Sequence, residues 1–107
     1  MNALTPLTYE ILVALADAPK HGYGIIKEIE ARAGAGPSTG ALYLALQRME
    51  TEGLIRESHA RPSPTDDARR RYWAITGKGR GVAEAETVRL AGLVAAARRK
   101  DLLGDIA

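Results

Sequence analysis

Apolar positions recur along the chain with helical spacing in four stretches, interrupted once by a stretch of alternation. In the first, PLTYEILVALAD at 6–17, Leu7, Ile11, Leu12, Val13, Ala14, Leu15 and Ala16 occupy nearly the whole circumference of a helix, with Glu10 and Asp17 its only charges. Thr5 followed by Pro6 marks the start, because a threonine hydroxyl can accept from a free amide and proline at the first helical position forfeits no hydrogen bond. A helix apolar on most sides must be covered on most sides. Leu4, Leu7 and Ile11 are therefore expected to face a second copy of the chain.

The segment APKHGYG at 18–24 reads as a turn from its proline and two glycines. A second helix then runs through IIKEIEARA, with Tyr23, Ile26, Ile29 and Ala33 at helical spacing and Lys27, Glu28 and Glu30 outward. GAGP closes it.

Residues 36–55, GPSTGALYLALQRMETEGLI, open poorly for a helix and then carry a clear stripe. With Leu42 as origin, Leu46 and Met49 fall within about 40° and Ala45 within about 60°. The opposite side holds Gly40, Leu44, Gln47 and Thr51, flanked by Tyr43 and Arg48. Ser38 suits the start, and Gly53 suits the left-handed residue that ends a helix. The first turn is left bare.

After Gly53 the period shortens. LIRESHA alternates as a strand from Leu54 to about Ala60, RPSPTDDA is a turn-rich tip, and RRRYWAIT returns as a second strand ending at Thr76. Thr76 then caps a long final helix, GKGRGVAEAETVRLAGLVAAARRKDLL. About Leu90 as origin, Ala83, Leu93, Val94 and Ala97 form one stripe, while Val88, Ala91, Ala95 and Leu102 lie roughly 100° to 160° away. One apolar face can lie on helix 1. The other calls for a partner chain, and these residues complete the expected dimerisation set.

Composition narrows the class. A chain of 107 residues with 46% hydrophobic residues is the size of one small domain. It has no cysteine and only two histidines, at 21 and 59, so neither thiol chemistry nor a metal-ligand spacing is present, and no cofactor is expected. No run reaches the length of a membrane span and MNALTPLTYE lacks the features of a signal peptide, so a soluble, cytoplasmic protein with no membrane partner is expected. No nucleophile, base and orienting group, nor a phosphate-cradling glycine loop, can be assembled, so no enzyme is expected.

The net charge of +2 conceals an uneven distribution. Residues 1–55 hold four Lys/Arg against six Asp/Glu, residues 56–80 seven against three, and residues 81–107 four and four. A basic excess confined to one hairpin is a candidate footprint for an anionic partner, and a solvated basic loop is the competing reading.

The order helix, turn, helix, basic hairpin is that of a winged helix-turn-helix, giving a mainly α fold class with a small β-hairpin and a long C-terminal dimerisation helix. Residues 1–76 form the winged unit and 77–107 the helix and tail. HGYGI at 21–25, GALYLALQRMETEGLI at 40–55 and RRRYWAITGKGR at 69–80 resemble the PadR family of bacterial winged-helix transcriptional regulators, in its short form with a single C-terminal helix. The resemblance implies a homodimer on a pseudo-palindromic double-stranded DNA operator, usually a repressor released by a small-molecule effector. Where the family often has proline after Leu-Tyr, this chain has Leu44. Some small members bind flat aromatic effectors with a tryptophan on the last helix, where this chain has Leu90. Its only tryptophan is Trp73.

On this reading the bare turn has a purpose. Small residues let the helix approach base edges while the amides of Thr39 and Gly40, beside Ser38, can donate to a phosphate. Gln47 can pair with adenine, Arg48 can reach phosphate or guanine, and Leu44 can touch a thymine methyl. Tyr43 either gives its hydroxyl to the DNA backbone or packs beneath helix 2. Lys20 and His21 in the turn, with Arg61, Arg69, Arg70 and Arg71 on the hairpin arms, are the remaining candidates for phosphate contact. A winged-helix adaptor for a protein partner is the alternative.

Overall fold

The computed structural model describes residues 4–60 and 70–104. Helix α1 spans Pro6–Leu15, strand β1 Lys20–His21, helix α2 Gly22–Ala33, helix α3 Thr39–Thr51, strand β2 Ile55–Ser58, strand β3 Tyr72–Ile75 and helix α4 Gly77–Arg99. The mainly helical winged architecture matches expectation, with a third strand added. The strands make an antiparallel sheet in the order β1-β3-β2, in which Glu57 lies opposite Trp73 and Lys20 pairs with Trp73 from the other side.

Local chemistry sets the helix ends. The hydroxyls of Thr5, Ser38 and Thr76 accept from the amides of Thr8, Ala41 and Gly79 at 3.2, 3.1 and 3.0 Å, each satisfying a first-turn donor that has no partner within its helix. Gly53 ends α3 at φ 79°, a conformation that costs a residue with a Cβ more than it costs glycine.

The segment expected as a turn at 18–24 is instead β1 followed by the first turn of α2. His21 makes the difference: its Nδ1 accepts from the amide of Gly24 at 3.1 Å and starts the helix three residues before the apolar run. The inward face of α2 is consequently Gly22, Ile25 and Ile29 rather than the stripe through Tyr23 and Ala33, both of which are exposed.

The core gathers Ile11, Leu12 and Leu15 of α1, Ile25 and Ile29 of α2, Leu42, Leu46 and Met49 of α3, and Leu54, Ile55 and Trp73 from the sheet region. Ile11 is therefore enclosed by its own chain, which corrects its expected place in a dimer face. Three helices and the sheet converge on α1 and bury Ile11, Leu12, Ala14 and Leu15. Leu4 and Leu7 pack half-buried against the same core.

Helix α4 is attached mainly through its first turns, where Gly79 is buried and Val82 and Ala83 pack on the core. The Tyr9 and Thr87 hydroxyls meet at 2.6 Å and tie it to α1. Further on, Val88, Leu93, Val94 and Leu102 are exposed and Leu90 and Ala97 half-buried, so the Leu93 and Val94 side does not lie on helix 1 of the same chain. The helix stops at Arg99 rather than continuing through Leu103, and Asp101 takes a left-handed φ of 61° just beyond its end.

Candidate nucleic-acid interface

Helix α3 divides cleanly into two sides. Leu42, Leu46 and Met49 are buried, while Thr39, Gly40, Ala41, Tyr43, Leu44, Gln47 and Arg48 are all exposed. Leu44 is 60% exposed, an unusual state for a leucine whose neighbours Leu42 and Leu46 fill the core. Ser38 satisfies the Ala41 amide, and the amides of Thr39 and Gly40 leave the helix end in the direction of its positive dipole.

Tyr43 packs beneath α2 and stays partly open to solvent. Its hydroxyl lies over Gly22, where an added Cβ would come within 2.5 Å of that oxygen, so the ring packs on the start of α2. The residue nevertheless remains 42% exposed. Glycine at 22 is what allows the helices to approach this closely.

Lys20 and His21 are engaged within the chain. The Lys20 ammonium donates to the Ala14 carbonyl and to Asp17 Oδ1, both at 2.6 Å, and lies 3.6 Å from Glu28. Glu28 pairs with Arg32 at 3.2 Å, and Arg32 reaches Glu10 at 3.8 Å, completing a line of alternating charges across α1, β1 and α2. Lys20 is thus a tether for the C-terminal end of α1. The His21 ring caps α2 and packs edge-on to Tyr72 with centroids 5.3 Å apart, so it is not a solvated loop residue. Lys20→Met should lower stability by about 1 to 2 kcal/mol in urea unfolding, because it strands the Ala14 carbonyl. A variant as stable as the parent would show that the tether contributes nothing net. The hydrogen bond from Lys20 also holds the Asp17 carboxyl below its ordinary range. That contribution is full above the ordinary carboxylate range and is lost as pH falls through the lowered value.

Arg71 stands at the entry to β3. Its Nε and Nη2 donate to the two carboxylate oxygens of Glu57, each at 3.3 Å, and its guanidinium lies 4.7 Å from the centre of the Trp73 ring. The hydrogen bond that Arg71 donates to Glu57 is the main influence raising its pKa, with a weaker contribution from the charge of Glu50 on α3. The hairpin arm and the exposed side of α3 therefore share one electrostatic neighbourhood. Arg70 is exposed at the same end of the strand, whereas Arg61 and Arg69 lie outside the described residues. Glu57 was not among the sequence candidates, since its pairing follows from strand register across a tip of unknown geometry.

A second concavity of about 360 Å³ lies between α1 and α4, walled by Leu12, Val13, Ala16, Ile75, Ala83 and Val88 with Arg80, Glu84 and Thr87. Arg80 Nη2 donates to the Ala16 carbonyl at 2.7 Å and so links the two helices. Among the described residues no group of three His, Cys, Asp or Glu could hold a metal ion, and no helix is long and apolar enough to cross a membrane.

Known proteins share this arrangement. A PadR-family transcription regulator from Clostridium difficile superposes with a TM-score of 0.78 at 24% identity, covering 89% of this chain and 97% of that one, a likeness of fold alone. A PadR-like transcriptional regulator from Bacillus cereus superposes with a TM-score of 0.73 at 27% identity, covering 92% and 93%. In sequence, 83 residues are 37% identical to a Streptomyces fradiae protein described as an uncharacterized 37.1 kDa protein in transposon TN4556, covering 78% of this chain and 22% of the relative. The chain thus spans about a fifth of that relative's length. The family profile described as "Transcriptional regulator PadR-like family" matches residues 11–85, which takes in the second half of α1, the α2–α3 pair, the hairpin and the first turns of α4. With most of its length matched to that profile, the chain belongs to the PadR-like family of transcriptional regulators.

Proposed function

We propose that the protein is a homodimeric, sequence-specific DNA-binding transcriptional regulator, acting as a repressor on an inverted-repeat operator and released by a small-molecule effector. The observation that carries the reading is the exposed side of α3: a bare first turn followed by Tyr43, Leu44, Gln47 and Arg48, all accessible, on a helix whose other side is anchored in the core. A helix held this way can enter a major groove without unpacking the domain. Gln47 there pairs bidentately with adenine, Leu44 meets a thymine methyl, Arg48 takes phosphate or guanine, and the Thr39 and Gly40 amides receive a phosphate. Arg69, Arg70 and Arg71 grip the backbone alongside.

Dimerisation uses the apolar side of α4 around Val88, Leu90, Ala91, Leu93, Val94, Ala95, Ala97 and Leu102, with Leu4 and Leu7 nearby. Two copies then present their α3 helices about 34 Å apart, one turn of DNA. The apolar walls between α1 and α4 support an effector site there.

Binding to duplex DNA from upstream of the protein's own gene tests the reading, with two variants that must fail differently. Gln47→Ala should lose about 1 to 3 kcal/mol at one base position and relax specificity there. Arg71→Ala should weaken all sequences alike and flatten the salt dependence by up to about one in the log-log slope. If both variants keep the parent's affinity, salt slope and sequence preference, the assigned face is wrong and the adaptor reading replaces it.

A further inference from the structure

Helix α4 leaves an acid unpaired in its first half and bases unpaired at its end. The Glu84 carboxylate has no hydrogen-bond or ion-pair partner among the described residues, and the same holds for the charged groups of Arg98, Arg99 and Lys100. Elsewhere on the helix Glu86 and Arg89 neutralise each other at 2.6 Å, and Lys78 and Arg80 turn back to the carbonyls of Glu52 and Ala16. Asp101 offsets one cation, and the end stays net positive. A stripe joins the two regions: Glu84, Val88, Ala91, Ala95 and Arg98 follow one another at alternating spacings of four and three, the repeat of a helix-pairing seam, and all five are exposed.

We propose that two copies pair through this seam with their α4 helices antiparallel, each Glu84 meeting the basic end of the partner's helix. This rests on the dimer reading above and adds its direction and register. With the pair centred between Ala91 and Ala95, the partner's Arg98, Arg99 and Lys100 come within about 3 to 6 Å of Glu84 along the axis, a distance their side chains span. The basic end then lies over the mouth of the concavity between α1 and α4, since Glu84 and Val88 belong to its lining. Parallel pairing fails on charge, because it sets each Glu84 against its own copy and three cations against three.

The place where α4 joins its own domain gives a second argument. The helix is held there at Gly79, Val82 and Ala83, so antiparallel pairing about that centre separates the two attachment points by about 36 Å along the axis. Two α3 helices on successive turns of one DNA face need about 34 to 36 Å. Parallel pairing leaves the attachment points only about 8 to 10 Å apart, the distance between packed helix axes. Charge and spacing therefore select the same direction.

Sedimentation of the full chain over a dilution series, at low and high salt, reads the dimer dissociation constant of four proteins: the parent, Glu84→Arg, Arg98→Glu with Arg99→Glu, and all three changes together. Circular dichroism is the folding control. Glu84→Arg is expected to weaken the dimer about ten-fold at low salt, as two exposed ion pairs give way to like charges, and the Arg98 and Arg99 reversals should act by a similar factor. Combining them restores opposite charges across an antiparallel pair and should return the constant to within about three-fold of the parent. High salt should shrink every difference. Where a reversal costs helix content, Glu84→Gln takes its place, with an expected loss of about two- to five-fold that salt removes. Single changes that leave the constant as in the parent overturn the proposal, as does a combined variant no tighter than either reversal; the dimer reading survives both results. A parent that sediments as a monomer throughout overturns both.

Discussion

Alanine at Gly79 should destabilise the protein by about 2 kcal/mol or more, while alanine at Gly81, two residues along the same helix, should stabilise it by up to about 1 kcal/mol. Both sites lie in the first turns of α4, and on helix propensity alone both changes are favourable. The surroundings separate them. A Cβ at Gly79 would collide with the Leu54 carbonyl oxygen and sit 3.0 Å from its carbon and 3.1 Å from Ile75 Cγ1, whereas one at Gly81 meets nothing within 4 Å. The Leu54 carbonyl cannot retreat easily, because it accepts from the Thr76 amide at 3.1 Å, and the Thr76 hydroxyl caps the same turn. Helix α4 would have to lift away, disturbing the Val82 and Ala83 contacts with the core. For a domain of this size the loss corresponds to a fall in melting temperature on the order of 10 °C. Thermal unfolding of the two variants checks this, and equal melting temperatures for Gly79→Ala and the parent would refute the packing argument.

The second large effect concerns assembly. Leu93 is 58% exposed and Val88, Val94 and Leu102 are exposed with it, while Gly79 is the buried residue among those described in α4. Apolar side chains left in water over several turns of one helix mark an association surface. Leu93→Asp should leave the fold intact, since the side chain lies outside the core, yet convert the proposed dimer into an 11.5 kDa monomer. Each buried aspartate should cost at least about 2 kcal/mol, and the two in a symmetric dimer weaken it on the order of a thousand-fold. Light scattering at micromolar concentration, with circular dichroism as the folding control, reads both halves of the expectation. A folded variant that remains dimeric would mean that the association surface lies elsewhere.

Some features of this protein follow from residues a few positions apart, and these were legible in the chain. Thr5, Ser38 and Thr76 cap their helices by accepting from amides three residues on, and Gly53 takes the left-handed conformation expected at the end of α3. The inward stripe of α3 and the exposure of Leu44 and Gln47 follow from period and cap, because a helix of known start has fixed sides. The winged order of elements was readable for the same reason.

Contacts between residues distant in the chain were decided only by the tertiary structure. The cap on α2 is histidine, a residue outside the usual capping set, so its start was displaced and the helix's buried side turned from Tyr23 to Gly22 and Ile25. Apolar character showed that Ile11 must be buried, while only the convergence of α2, α3 and the sheet on α1 decided that its own chain buries it. Lys20 and Arg71 look alike as cations in sequence. The first is drawn inward by the Ala14 carbonyl and Asp17, and the second is held at the surface by Glu57, fourteen residues away across the hairpin. Charge and spacing specify that such groups need partners, but the choice among partners depends on strand register and helix docking, which are set by the packing of the whole core.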